Sequence, residues 1–305
     1  MRKVTHMTNT RVSIIIPCYN GEKYIVEAVT SALQQTVTAS VIVVDDGSND
    51  NSLQVLETFT DRITLIAKEN GGVSSARNIG LTYTDDEYIV FLDADDILTS
   101  DAIERHLSVA STNPEAGLIY GSNYIINETG QVVGKNPQTW DYKTIQQVAE
   151  GQIPAPSQSM YRRKAVIEAG GFDQKITHGE DMDLILRIGI NYEIVSHEYY
   201  VVHYRHHPGQ ATKKPSVAYT GMMQIIAKYS DSNQYRDISE SINWKQAERR
   251  WKRYFGQFIP IEIAKNLING DFTAALKKLR LYITMLPEGL FGTMHFIKSK
   301  LKRTI

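Results

Sequence analysis

Cysteine is nearly absent. Cys18 is the single one in 305 residues, which excludes an intrachain disulfide and any zinc site built on cysteines. Long apolar runs are absent too. No uninterrupted stretch reaches the ~18–20 residues of a membrane-spanning helix; the nearest, Leu281–Ile297, is broken by Pro287, Glu288 and two glycines. Met1–Thr10 is polar, reads as a flexible N-terminus and shows no secretory pattern. A reducing cytoplasm is the expected location. Net charge is almost absent as well, at −1 from 33 basic and 34 acidic side chains. That value hides two unlike parts. Residues 241–305 hold 13 Lys+Arg against 4 Asp+Glu, whereas residues 1–240 hold 20 against 30. An acidic body with a basic end points to a surface partner for that end. With 42% hydrophobic and 22% charged residues, the composition is that of a globular protein, and disordered or collagen-like chains are excluded.

What is present is an alternation of strand and helix patterns. Val12–Pro17 is a short β-branched run that reads as a buried strand, followed after Asn20-Gly21 by apolar residues at helical spacing (Tyr24, Ile25, Ala28, Val29, Ala32, Leu33). Val41–Val44, Ile63–Ala67 and Tyr88–Leu92 repeat the strand pattern, with helices between them, and Ser100 is placed to cap the next helix. Repeated units of this kind imply a mostly parallel sheet flanked by helices, in which ligands bind beyond the carboxyl ends of the strands. Those ends carry Tyr19-Asn20, Asp45-Asp46 and Asp93/Asp95, so polar and acidic groups converge on one rim.

Each cluster admits a functional and a plain structural reading. Asp93-Ala-Asp95 can hold a hard divalent cation that bridges to phosphates, or it can be a solvated turn. Asp45-Asp46-Gly-Ser48 can be a capping turn, or it can offer a carboxylate to the imide N–H of a pyrimidine ring. Asn70–Gly80 places Arg77 and helix-start N–H groups where a diphosphate would be favoured, or simply begins a helix. His178-Gly-Glu-Asp181 opens an apolar helix, where a carboxylate is held as the anion. It suits a general base, and spacing alone leaves Glu180, Asp181 and Asp183 open. In His203-Tyr-Arg-His-His207 one histidine could ligate a metal or touch a phosphate, or the rings could be satisfied loop histidines.

Taken together, Val12-Ser-Ile-Ile-Ile-Pro-Cys-Tyr-Asn20, Val43-Val-Asp-Asp-Gly-Ser48, Asn70-Gly-Gly-Val-Ser-Ser-Ala-Arg-Asn78, Phe91-Leu-Asp-Ala-Asp-Asp96, Gly171-Phe-Asp173 and His178-Gly-Glu-Asp181 resemble inverting glycosyltransferase family 2, in family order over roughly residues 11–210. The resemblance implies the GT-A (Rossmann-like) α/β fold, with a catalytic domain over 11–214 and a basic helical extension over 215–305. Residues 11–100 would form the nucleotide-sugar-binding half and 101–214 the acceptor-binding half. It implies that Pro17, Tyr19 and Glu22 line the nucleoside site, that Asp46 contacts the base and that Arg77 helps to hold the nucleotide. It further implies that Asp93 and Asp95 bind the donor diphosphate through Mn2+ or Mg2+, with His207 a candidate further ligand, and that Asp181 is the catalytic base. Ser157, Gln158 and Glu180 mark the acceptor region.

The implied reaction moves a sugar from a nucleoside-diphosphate donor, UDP-linked by default, to a saccharide or lipid-linked acceptor in cell-surface polysaccharide or glycolipid synthesis. A sugar-nucleotide nucleotidyltransferase would show a Gly-rich, cationic phosphate loop where this chain has Pro17-Cys-Tyr-Asn-Gly-Glu22. A non-catalytic binding module would be expected to have lost Asp95 or Asp181. A processive synthase would carry membrane spans. Beyond residue 215 the chain reads as helical, and the helix pair around Asn269-Gly270-Asp271 resembles one pair of a tetratricopeptide repeat, expected to pack against the catalytic domain. The aromatic-rich basic segment Met294–Ile305 suits an anionic membrane surface, peripheral to the inner face of the cytoplasmic membrane. No nucleic-acid motif is found.

Overall fold

The computed structural model describes residues 11–138, 144–210 and 214–301, with side chains as far as Ile297. The expected flexible stretch 1–10, Lys302 and Arg303, and the side chains of Lys298 and Lys300 lie outside what is described. The chain forms two compact units.

The first unit is built on one sheet, in the order β3-β2-β1-β4-β8-β6-β9-β5. Strands β1 (Val12–Cys18), β2 (Ser40–Asp45), β3 (Thr64–Ala67) and β4 (Tyr88–Phe91) are parallel neighbours. The reason is visible in β1. All seven of its residues are buried, and β-branched side chains fill both faces, as a strand covered on both sides requires. Helix α1 (Ile25–Leu33) buries Ile25, Ala28, Val29 and Ala32 at 3–4-residue spacing and shares a core cluster with Ile14 and Ile16. Between β2 and β3 stands the short α2 (Ser52–Glu57). Helix α3 (Val73–Leu81) meets the alternate residue Ile15, and comes so close that a Cβ on Gly80 would collide with its side chain.

Past β4 the sheet becomes mixed. The short β5 (Ile97–Leu98) is followed by α4 (Ala102–Ala110), the long β6 (Ala116–Ile126) and β7 (Val132–Asn136). Then come α5 (Ile145–Ala149), which belongs to the second unit, β8 (Ser159–Arg162), α6 (Arg163–Glu168), α7 (Glu180–Ile188), whose first turn is assigned to the second unit, and β9 (Glu193–Arg205). Strand β8 runs antiparallel to β4 and β6, β7 antiparallel to β6, and β5 antiparallel to β9, while β6 and β9 are parallel. The α/β class stands, with its parallel order concentrated in residues 12–91. One detail differs from the sequence reading: Asp101, not Ser100, holds the N-cap position of α4. Its carboxylate makes no capping hydrogen bond and accepts instead from Arg105 Nε at 2.8 Å and Thr99 Oγ1 at 3.1 Å.

Between α4 and β9, His106 and His197 share a hydrogen bond, Nδ1 to Nε2 at 3.0 Å. Burial pushes the His197 imidazolium down to about 4, with Arg105 adding to it, and burial together with His197 holds His106 well below the usual histidine range. A histidine whose folded pKa is depressed takes up protons on unfolding, so stability is full above pH ~6.5 and falls as pH drops toward 4. The loss attributable to His197 should reach on the order of 3 kcal/mol. Urea titrations at pH 7 and 4.5 should show it, and His197→Gln should flatten the slope.

The second unit comprises residues 144–152, 176–182 and 208–305. It contains α8 (Pro215–Tyr229), α9 (Arg236–Ser241), α10 (Trp244–Gly256), α11 (Ile259–Ile268), α12 (Phe272–Ile283) and α13 (Glu288–Leu301). Helix α10 buries Trp244, Ala247, Trp251 and Phe255, again at helical spacing. The Trp251 indole N–H donates to the Ala149 carbonyl at 2.8 Å, and Trp244 stacks on Tyr229. Lys245, Arg249, Arg250 and Arg253 of this helix are left exposed.

Candidate active site

The rim expected from the sequence is where the parallel strands deliver it, since β2, β1 and β4 are neighbours in the sheet. The loop after β1 is bound to the loop after β2. Asn20 takes a left-handed conformation (φ 50°), its N–H donates to Ser48 Oγ at 3.0 Å, and its side-chain carbonyl accepts from Asn49 N–H at 2.8 Å. Glu22 accepts from Asn51 at 2.8 and 3.2 Å, whereas Tyr19 is half exposed and Pro17 is buried in β1. Gly47 (φ 75°) lies so close to the next loop that a Cβ there would stand 2.8 Å from Asn70 N. Burial pushes the Cys18 thiol up to about 11, which keeps it neutral and unreactive beneath this loop.

Asp46 is buried and fully engaged. Its carboxylate accepts from the N–H groups of Gly71 and Gly72 at 3.0 and 2.7 Å and from Lys68 Nζ at 2.5 Å. It therefore shapes the Gly-Gly entry to α3. Arg77, on α3, is 3% exposed and donates to Asp93 Oδ1 at 2.7 Å, with its guanidinium 5.1 Å from the centroid of the Phe172 ring. Phe172 is fixed in turn by Asn78, which exchanges two 2.8 Å hydrogen bonds with its backbone.

The second acidic cluster separates into distinct roles. Asp183 is fully buried and pairs with Arg187, which also donates to the carbonyls of Ala169 and Gly171. Asp183 is therefore a structural anchor for the Gly171-Phe172 turn, and its carboxylate is not available as a base. Glu180 and Asp181 stand in the first turn of α7, half-buried, with Asp181 accepting from Met182 N–H at 2.7 Å. Ser157 and Gln158 are buried. Ser157 Oγ accepts from the Asp93 backbone N–H at 3.0 Å, and Gln158 donates to the Gly121 carbonyl at 3.2 Å, so Ser157 holds the backbone of the Asp-x-Asp turn.

That turn is closed by pairing of β5 with β9, in which Ile97 faces His203. The alternate residues Arg205 and His207 then reach the Asp93–Asp96 loop. His207 Nε2 is 2.8 Å from Asp95 Oδ2. Burial, and after it the neighbouring Asp93, pushes the Asp95 carboxyl above the usual range; burial does so more strongly for Asp96. His203 stacks on Tyr124, and burial lowers its basicity, so it is a packed ring. Among the described residues no three-ligand cluster surrounds a cation-sized position. Asp95 and His207 are in direct contact, and Asp93 is the like-charged neighbour that adds to the effect of burial on Asp95. Hard divalent ions are commonly bound by one or two carboxylates with substrate phosphates completing the shell.

Arg205 is the residue that the sequence reading missed. It is fully buried. Its backbone N–H donates to Asp96 Oδ1 at 2.9 Å, Nε to the Asp95 carbonyl at 2.8 Å, and Nη2 to Glu27 at 2.8 Å, while its guanidinium lies 4.5 Å from the Tyr24 centroid. One side chain thus ties the Asp-x-Asp loop to α1. The signal was the period of two at the end of β9, which puts residues 203, 205 and 207 on one side. Arg205→Met should cost about 2–4 kcal/mol, because charged hydrogen bonds are lost and buried acceptors are left unpaired. Denaturant midpoints would measure it.

Residues 13–170 match the family described as Glycosyl transferase family 2. Chondroitin synthase of Pasteurella multocida (strain Pm70) is 33% identical over 181 residues, which is 58% of this chain and 18% of the synthase. Glycosyltransferase GlyG of Streptococcus pneumoniae is 36% identical over 123 residues, 39% of this chain and 40% of that protein. The chain thus spans well under half the length of these curated relatives. Among solved structures, S. aureus TarS 1-349 in complex with UDP-GlcNAc is similar with a TM-score of 0.63 at 18% identity, over 93% of this chain and 82% of that one. Mannosyltransferase PcManGT from Pyrobaculum calidifontis, in complex with GDP-Man and Mn2+, gives 0.61 at 18% identity, over 96% and 89%. Both structural likenesses are of fold.

Proposed function

The chain belongs to glycosyltransferase family 2 and has the GT-A fold, and from that premise we propose that it is a metal-dependent, inverting transferase of a UDP-linked hexose or N-acetylhexosamine, acting on a saccharide or lipid-linked hydroxyl. The observation that carries this reading is the pairing of Arg77 with Asp93 and of His207 with Asp95 in the loop that follows β4. Asp93, Asp95 and His207 would hold Mn2+ or Mg2+, which when bound supplies positive charge to a departing diphosphate. The TarS and PcManGT structures, bound to UDP-GlcNAc and to GDP-Man with Mn2+, support a nucleotide-sugar donor for the same fold.

The chain's own residues divide the remaining work. Tyr19, Pro17 and Glu22 flank the nucleoside, with Asp46 and the Gly71-Gly72 backbone closing the base side. Arg77, buried and fixed by Asp93, orients that carboxylate and adds positive charge beside the diphosphate. Ser157 and Arg205 hold the backbone of the Asp-x-Asp turn so that Asp93 and Asp95 need little reorganisation. Asp181, at the start of α7, takes the proton of the acceptor hydroxyl. The acceptor oxygen bonds to the anomeric carbon as the bond from that carbon to the diphosphate oxygen breaks, and the nucleoside diphosphate leaves. A single displacement converts an α-linked donor into a β-linked product. The test is a panel of nucleoside-diphosphate sugars and candidate acceptors, with products scored by mass spectrometry and their anomeric configuration by NMR. A β-linked product from a UDP-sugar is expected; an α-linked one would overturn the single-displacement reading.

A further inference from the structure

Scattered exposed apolar side chains are ordinary on a protein surface, but an aligned set is not. Helix α12 carries such a set. Phe272, Leu276, Leu279 and Ile283 recur at spacings of four, three and four, which aligns them along one face. All four are exposed, Phe272 at 70% and Ile283 at 56%. Ala275 is buried, and the Lys278 ammonium is turned to Asn266 and Glu262 of α11, so α12 packs on α11 through another face and leaves this stripe uncovered. Arg280 borders the stripe and Lys277 stands further round the helix; both are exposed and engage no acidic group among the described residues. Just before the helix, Ile268 is 83% exposed.

We propose that α12 lies flat on an anionic lipid surface, with the four apolar side chains entering the boundary between headgroups and acyl chains and Lys277 and Arg280 meeting lipid phosphates. The chemistry of the face selects this occupant. An apolar stripe flanked by cations is the pattern of an interfacial helix, and residues 241–305 are strongly basic as a whole. A second copy of the chain fits poorly, because a two-fold contact would bring identical cations together. Among the described residues no helix is long and apolar enough to cross a membrane, and at 12 residues α12 is suited to lying in the interface. The surface differs from the 294–305 segment nominated by the sequence and does not depend on the transfer reaction.

Co-sedimentation of the full chain with vesicles of phosphatidylcholine, alone or mixed with phosphatidylglycerol, tests it. Partitioning should be ~10-fold or more stronger on the anionic vesicles and should weaken with salt. The triple variant Phe272→Ser, Leu276→Ser, Ile283→Ser and the double variant Lys277→Glu, Arg280→Glu should each lower it ~10-fold or more with unchanged circular dichroism and melting. Nucleotide release in the absence of vesicles should be the same in all variants, so failure of the lipid proposal is read separately from failure of the transfer reading. Binding indifferent to phosphatidylglycerol, or a triple variant that binds as the wild type, would overturn the proposal. So would a wild-type dimer that the triple variant dissociates, which would make the stripe a self-interface.

Discussion

Asp181→Asn should fold as the wild type does and lose sugar transfer by ~10²–10⁴-fold, the range set by removing a general base. The fold is expected to survive because the amide oxygen of Asn can still accept from Met182 N–H, the hydrogen bond that Asp181 makes at 2.7 Å, and because the residue is half-buried at a helix start. What the substitution removes is the capacity to take a proton. Glu180→Gln, one residue away, should reduce transfer far less. Asp183→Asn should act on stability, since it breaks the buried pair with Arg187 that fixes the Gly171-Phe172 turn. Turnover and melting measured on the three purified variants separate these outcomes, and full activity in Asp181→Asn would remove Asp181 as the base.

Asp95→Asn should lower transfer by about 10²–10³-fold and abolish the strengthening of UDP binding by Mn2+, yet it should melt no lower than the wild type in EDTA. The two halves of that expectation share one cause. Burial and the adjacent Asp93 disfavour the ionised Asp95 in the folded protein, so the carboxylate is costly to the fold, and under the proposed function a bound cation would offset that cost. An amide at this position keeps the contact with His207 and sheds the like-charge repulsion. Calorimetric titration with UDP, with and without Mn2+, and melting in EDTA would check both halves. A variant that melts well below the wild type would make Asp95 a structural residue instead.

The parallel half of the sheet was legible from residues 12–92 because buried strands there announce themselves as β-branched runs, and their carboxyl ends carry the acidic groups. The later strands were harder to read. β6 and β9 mix Gly, Ser, Asn, Tyr and His, since their pairing is set by long-range partners and not by local periodicity. The residue types of the rim were also legible, but their division of labour was not. Spacing could not distinguish Asp181 from Asp183, because the Arg187 that engages Asp183 declares itself only when α7 is folded. Nor could it show that Arg205 ties Asp95 and Asp96 to Glu27, a partner 178 positions away. The charge split was visible at once, whereas the aligned face of α12 required knowing which of its sides α11 covers.

Under the proposed function, Asp93, Asp95 and His207 bind a divalent ion on which nucleotide-sugar turnover depends. The most direct measurement of that dependence is UDP release from UDP-hexoses and UDP-N-acetylhexosamines by the purified chain in Mn2+ and in EDTA. Release in Mn2+ that falls by ~10²-fold or more in EDTA and returns when Mn2+ is restored is the expected result. Equal release in Mn2+ and in EDTA would contradict it.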